Sequence, residues 1–214
     1  MNTLIVIPCY NHGSLCNELI SEINNKDILI VDDGSDIPFI PEQSNNNITL
    51  LKNDINKGKG YSIKEGAKHA IKSGYNRIIV IDADMQHDST KIDDFINIDF
   101  KYDFVYGKRN FNKNMPLLRI ISNILTSTII SLLCNKSIKD SQCGYRLYNT
   151  NLFNNLDSLE NGYHFESEIL LKKINSKSNI TYINIPTIYN GSDSHIRNFH
   201  DTYKFIKLIL RNLL

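Results

Sequence analysis

The residues best suited to chemistry lie in Asp82-Ala83-Asp84-Met85-Gln86, directly after the apolar run Ile78 to Ile81. Two aspartates one residue apart on a strand project the same way, and their hard oxygen donors suit Mg²⁺ or Mn²⁺ bridging a diphosphate. Gln86 adds a neutral oxygen. Such a pair is also what the solvated end of an ordinary strand carries, so the surroundings decide between the two. A second acidic strand end is Ile28-Leu29-Ile30-Val31-Asp32-Asp33-Gly34-Ser35, and Ile7-Pro8-Cys9-Tyr10-Asn11 closes a third. Open α/β sheets bind ligands outside the carboxyl ends of their strands. A tyrosine there can stack on a base, and an aspartate can accept from a base N–H or a ribose hydroxyl. Taken alone, Asp32-Asp33-Gly34-Ser35 is an ordinary turn; three such ends in one crevice suit a nucleoside diphosphate.

Asn56-Lys57-Gly58-Lys59-Gly60-Tyr61-Ser62 resembles a phosphate loop but fails both standard patterns. No glycine stands five residues before a Gly-Lys-Ser/Thr, and Ile63 occupies the place where GxGxxG requires glycine. A nucleoside triphosphatase and a dinucleotide-binding dehydrogenase are therefore disfavoured. Lys59, at a helix entrance, can still approach a diphosphate, or it can be a solvated turn lysine.

These positions require strands that end together. Leu4 to Ile7, Ser14 to Ile23 and Ile28 to Val31 read as strand, helix, strand. Ile48 to Leu51, a helix from about Tyr61 to Lys72, and Ile78 to Ile81 continue the alternation. The expectation is an α/β fold, a mostly parallel sheet with helices on both faces. The 36–47 stretch, with Pro38, Pro41 and Asn45-Asn46-Asn47, is a surface connection. With no repeat or linker, the 214 residues form a single domain. Beyond Phe104-Val105-Tyr106-Gly107 the pattern changes. Between Pro116 and Cys134, Leu118, Ile121, Leu125, Ile129 and Leu132 recur at helical spacing, with Arg119, Ser122, Asn123 and Thr126 on the other side. That segment is short and polar for a bilayer span but can lie in an interface. Tyr203, Ile206, Leu210 and Leu213, with Lys204, Lys207 and Arg211 on another stripe, repeat the theme. Each helix either packs on the core or touches a membrane surface.

Twenty-four Lys and Arg against 23 Asp and Glu leave a net charge of +1, which argues against nucleic acid as a partner. Cys9, Cys16, Cys134 and Cys143 show no CxxC pair and no zinc-like spacing, so free thiols in a reducing compartment are expected. Met1-Asn2-Thr3 has no basic region of a secretory signal, and Leu4 to Ile7 reads as a buried strand. A cytoplasmic protein, peripheral on the cytoplasmic face of the membrane if its amphipathic helices touch lipid, is the expectation.

Five segments in order, Pro8-Cys9-Tyr10-Asn11, Val31-Asp32-Asp33-Gly34-Ser35, Asn56-Lys57-Gly58-Lys59-Gly60, Asp82-Ala83-Asp84-Met85-Gln86-His87 and Asp140-Ser141-Gln142-Cys143-Gly144-Tyr145-Arg146, resemble the motifs of family 2 glycosyltransferases. Within that family the chain is most similar to the polyprenyl-phosphate and dolichyl-phosphate sugar synthases, from about residue 3 onward. Asp140 to Tyr148 most resembles the dolichyl-phosphate glucosyltransferase branch, a pointer to UDP-glucose. The resemblance implies a GT-A fold, with a nucleotide-sugar-binding half over about 1–110 and an acceptor-binding half over about 111–214. Carried over by position, Pro8, Tyr10, Asn11, Asp32, Asp33, Lys59 and Asp82 hold the UDP- or GDP-sugar, while Asp82, Asp84 and Gln86 hold the Mg²⁺ or Mn²⁺ and its diphosphate. Where the family often has glutamate after Pro-x-Tyr-Asn, this chain has His12.

The same resemblance makes Arg109, Arg119 with Ser122, and Arg197, with His195 nearby, the cations gathered around the acceptor phosphate. Two anionic reactants in one site repel, and arginine forks offset that repulsion and stabilise the departing diphosphate. The implied reaction is displacement at the anomeric carbon with inversion. A phosphate acceptor is already anionic and needs positioning, by Arg119 and Arg197 above all. A hydroxyl acceptor needs a general base, for which Asp140 and Glu166 are candidates. Asp140 can instead order its loop or bind the donor sugar, and Glu166 and Glu168 can simply line an exposed helix side. The acceptor is thus a polyprenyl phosphate or a glycan hydroxyl, and a noncatalytic nucleotide-sugar-binding protein and a nucleotidyltransferase complete the alternatives.

Overall fold

Buried residues alternate between two layers along the central strands, so Leu4 and Val6 join one apolar cluster while Ile5 and Ile7 join another. This places a sheet between two helical layers. The computed structural model describes residues 2–42, 47–111, 115–155, 159–162, 164–188, 205 and 207–211. In chain order the elements are β1 (Thr3–Cys9), α1 (Gly13–Glu22), β2 (Ile28–Asp32), β3 (Ile48–Lys52), α2 (Lys59–Lys72), β4 (Arg77–Val80), α3 (Ile92–Ile96), β5 (Phe104–Arg109), α4 (Leu117–Cys134), β6 (Arg146–Asn149), α5 (Phe165–Lys173) and β7 (Ile180–Ile185).

The strands form one sheet in the order β3-β2-β1-β4-β6-β5-β7. Pairing is parallel from β3 to β4 and again between β5 and β7, whereas β6 runs against both of its neighbours. One cluster joins the sheet to α2, α4 and α5 through Ile63, Ala67, Ile130, Phe165 and Ile169. The other joins it to α1 and α3 through Cys16, Leu19, Ile92 and Phe95. The expected helices on both faces are therefore observed, and all four cysteines are free and buried. The chain order reverses between β1 and β4, so the carboxyl ends of β1, β2 and β4 open on the crevice where such sheets bind ligands.

Helix α4 is built the opposite way from an ordinary surface helix. Its inward residues include Asn123 and Ser127, both buried. Asn123 Nδ2 donates to Asp140 at 2.7 Å, Ser127 Oγ accepts from the Ser141 amide at 2.9 Å, and Ser131 Oγ accepts from the Ile138 amide at 2.9 Å. Leu117, Leu118, Ile121, Ile124, Leu125 and Leu132 are all exposed. At 100° per residue they share one arc, with Asn123 and Ser127 away from it and Ser131 on its flank. By length and composition α4 could cross a membrane, yet this polar seam ties it to the sheet body. In the last helix the buried residue is Leu208, while Leu210 of the expected apolar stripe is exposed. Tyr203, Lys204, Ile206 and Leu213 lie outside the described residues.

Candidate functional site

The acidic pair stands just beyond its strand rather than on it. β4 ends at Val80, and Asp82 to Gln86 form a turn in which Met85 takes a left-handed φ of 57°. The Gln86 amide donates to Asp84 Oδ1 at 3.0 Å. Strand alternation, expected to aim both carboxylates together, therefore does not apply to this pair, which belongs to a turn. Asp84 lies close enough to Asp82 to sense its charge.

Their environments differ. Lys59 Nζ lies 2.6 and 2.9 Å from the two oxygens of Asp82 and 2.6 Å from Glu166 Oε1. Burial opposes the charge on Asp82, but Lys59 and His87, whose Nε2 is 3.6 Å away, hold its carboxyl well below the usual range. Burial of Lys59 is likewise outweighed by Asp82 and Glu166, which raise its ammonium. Asp84 moves the other way: burial, then the Asp82 charge, push it up. Asp84 is thus the acid whose negative charge is under-compensated, and its carboxylate, with Gln86 in the same turn, is of the hard-oxygen type that a divalent cation would take. Among the described residues, no three His, Cys, Asp or Glu side chains gather into a metal cage. A cation held here takes its remaining oxygens from substrate or water, as Mg²⁺ sites commonly do.

Gly144 explains how tightly the site is closed. A Cβ there would fall 2.3 Å from Asp82 Oδ2 and 2.8 Å from Lys59 Nζ, so any side chain at this position of the loop before β6 would displace the Asp82–Lys59 pair. Gly58 and Gly60, which suggested a phosphate cradle, serve a similar purpose. Cβ atoms on them would lie 2.5 Å from the Asn161 carbonyl and 2.6 Å from Phe165 Cβ, and the Tyr61 amide donates to Asn161 at 3.0 Å. The start of α2 is therefore packed under the backbone ahead of α5.

The nucleoside edge is assembled by its own acids. Asp32 Oδ1 accepts from the Ser35 amide at 3.1 Å and Oδ2 from the Phe39 amide at 2.8 Å. Asp33 accepts from Asn53 Nδ2 at 2.7 Å and from the amides of Lys57 and Gly58 at 3.1 and 2.7 Å. Asn11, left-handed at φ 56°, exchanges two 2.9 Å bonds with Asp36. These residues tie together the loops after β1, β2 and β3. Pro8 sits in β1 opposite Val31, and Tyr10 is exposed at the lip.

Across the crevice, Arg109 grips Asp140 with both prongs of its fork, Nε to Oδ2 at 2.8 Å and Nη2 to Oδ1 at 2.9 Å. Asp140 is fully buried at its side chain. Burial opposes its charge, but Arg109 and Asn123 outweigh it and hold the carboxyl below its ordinary value. Glu166 and Glu168 do not line an exposed side; both are buried. Glu166 faces Lys59, and Glu168 meets Lys172 at 2.8 Å and Arg211. Ser122 is exposed on α4 within 3.5 Å of Gln142, and Arg119 is half-buried three residues earlier. Arg197 and His195 lie outside the described residues. The Lys59–Glu166 contact was not foreseen, since nothing local in either segment points to the other.

Residues 4–157 match the family described as glycosyl transferase family 2. The chain is 31% identical to the UDP-N-acetylglucosamine–dolichyl-phosphate N-acetylglucosaminyltransferase of Methanococcus voltae, over 86% of this chain and 85% of that one. It is 29% identical to the dolichyl-phosphate beta-glucosyltransferase of Dictyostelium discoideum, over 67% of this chain and 53% of that protein. In fold it is similar to glucosyl-3-phosphoglycerate synthase from Mycobacterium tuberculosis, solved with Mn²⁺ and UDP, at a TM-score of 0.63 and 13% identity, covering 100% of this chain and 78% of the other.

Proposed function

The chain belongs to glycosyl transferase family 2 and is a glycosyltransferase of the GT-A fold, and on that premise we propose that it transfers a sugar from a nucleotide-sugar donor to a polyprenyl phosphate, with inversion, at the cytoplasmic face of a membrane. Relatives named for dolichyl-phosphate acceptors support the acceptor class. The observation that carries it is the state of the two carboxylates able to serve as a general base. Asp140 is clasped by Arg109 and Glu166 by Lys59. Arg109 holds the Asp140 carboxyl below its ordinary value, which makes it a poor proton acceptor, and Glu166 faces Lys59 rather than an acceptor hydroxyl; this disfavours a hydroxyl acceptor and favours one that arrives already ionised.

In this reading residues 1–110 hold the donor and residues 111–214 the acceptor. Tyr10 offers its ring to the base from the lip, with Pro8 beside it, while Asn11, Asp32 and Asp33 fix the loops that enclose the nucleoside. Asp84 and Gln86, with Asp82 beside Asp84, would hold Mg²⁺ or Mn²⁺ and the diphosphate. When bound, the cation supplies Lewis-acid stabilisation of the leaving diphosphate. Asp140 keeps Arg109 extended at the end of β5. Arg119, Ser122 and Arg197 receive the acceptor phosphate and offset the repulsion between two anionic reactants. The exposed apolar arc of α4 lies in the lipid surface that presents that phosphate.

The test supplies the purified protein with UDP-glucose, UDP-N-acetylglucosamine or GDP-mannose, Mn²⁺, and either a short polyprenyl phosphate or an oligosaccharide. Sugar appearing on the lipid phosphate is expected; transfer to the oligosaccharide alone would reject the reading.

A further inference from the structure

Lys59 is the first residue of α2, and its ammonium is held from three directions: by both oxygens of Asp82, at 2.6 and 2.9 Å, and by Glu166 at 2.6 Å. The charged and titratable groups around this contact include Asp82, Asp84, Glu166, His87, Tyr148, Arg109 and Arg146, the last 3.9 Å from Glu166. The loop backbone at Gly144 lies against the pair, where a Cβ would push it aside.

This placement decides which oxygens a divalent cation meets. Without Lys59, the uncompensated charge of Asp82 would stand beside that of Asp84 and strengthen the attraction for such a cation. With Lys59 in place, both oxygens of Asp82 face an ammonium, and Glu166 is drawn to the same charge. Asp84 and Gln86 remain, too few donors for a cation that seeks six. A bare cation would also approach a fixed positive charge. A diphosphate alters both conditions, because it brings oxygens and negative charge together.

We propose that Lys59 is a positioning residue that couples metal loading to nucleotide binding, withholding Asp82 from a free divalent cation so that the cation enters with the diphosphate. This rests on the reading of Asp84 and Gln86 as the metal-diphosphate site.

Mn²⁺ binding, followed by loss of the free-ion electron paramagnetic resonance signal, separates the possibilities with the intact protein, with and without UDP or GDP. The unaltered protein should bind Mn²⁺ weakly alone and more tightly with nucleotide. Lys59→Met should bind Mn²⁺ alone more tightly by about tenfold or more, the scale on which removing a neighbouring charge acts, and lose most of the nucleotide dependence. Lys59→Gln repeats the loss of charge should the methionine variant fail to fold, and Lys59→Arg should behave as the unaltered protein. Glu166→Gln, which leaves Lys59 on Asp82, should not raise the affinity for Mn²⁺ alone. Folded neutral variants with unchanged or weaker Mn²⁺ affinity, while nucleotide-dependent binding persists, would overturn the coupling alone. Absence of Mn²⁺ and nucleotide binding in every protein would overturn the metal-diphosphate reading and the coupling with it.

Discussion

Replacing Leu118 and Leu125 on α4 by serine should release the protein from lipid vesicles without loosening its fold. The two side chains are 78% and 59% exposed, so neither substitution opens a cavity, and stability should stay within about 0.5 kcal/mol of the original. Burying a whole leucine side chain is favourable by about 2 kcal/mol. Scaled by the exposed fractions, the pair contributes about 3 kcal/mol if those surfaces enter hydrocarbon. At 1.4 kcal/mol per decade this is about a hundredfold in partitioning. The assay is co-sedimentation with phosphatidylcholine vesicles containing a fifth phosphatidylglycerol, across a lipid titration, with thermal melts beside it. The original should sediment at lipid concentrations where the double variant stays in solution. If the original ignores vesicles, or both partition alike, the apolar arc does not meet lipid. A dimer in light scattering that the double variant loses would then give that face to a second copy.

Two further perturbations probe the crevice. Asp84→Ala should abolish metal-dependent transfer while leaving the melting temperature equal or higher, because burial and the neighbouring Asp82 disfavour the Asp84 carboxylate in the folded state; full activity, or unfolding at 25 °C, would reject the assignment. Asp140→Asn should cost about 3 kcal/mol at pH 7, since it breaks a buried ion pair and strands Arg109. The folded carboxyl of Asp140 lies below its unfolded value of about 4, so its stabilisation is complete above that pH and disappears as acid carries the protein down through the folded value. Urea unfolding from pH 7 to pH 3 should show the variant losing less than the original below about pH 4; parallel curves would refute the pairing.

Strand-helix alternation was readable wherever one residue's neighbours in sequence are also its neighbours in space. Leu4 to Ile7, Ile28 to Val31 and Ile78 to Ile81 each alternate between two apolar layers, and the carboxyl ends of these parallel runs, two of them acidic, lie at one edge of the sheet. Periodicity was weaker for α4 because it locates an apolar stripe without saying which side faces the core. The deciding partners, the Ile138 amide and Ser141, come after the helix in the chain and lie in a loop of no regular pattern. Asp32 and Asp33 looked like ligands for a nucleoside; their hydrogen bonds to the amides of Ser35, Phe39, Lys57 and Gly58 depend on loop paths that composition does not reveal. Half the length of the chain separates Lys59 from Glu166, so their contact becomes visible only when the sheet brings α2 and α5 to the same side.

The reversed strand β6 has a mechanical consequence. It is wedged between β4 and β5, with Arg146 opposite Val80 on one side and Tyr106 on the other. The later part of the chain is thereby stitched into the middle of the sheet laid down by the earlier part, so no hinge can run between the parts before and after residue 110. Opening and closing must be carried by loops over a stiff floor. Nor are the two regions exchangeable as cassettes: a chimera spliced near residue 110 would have to rebuild the centre of its sheet from foreign edges.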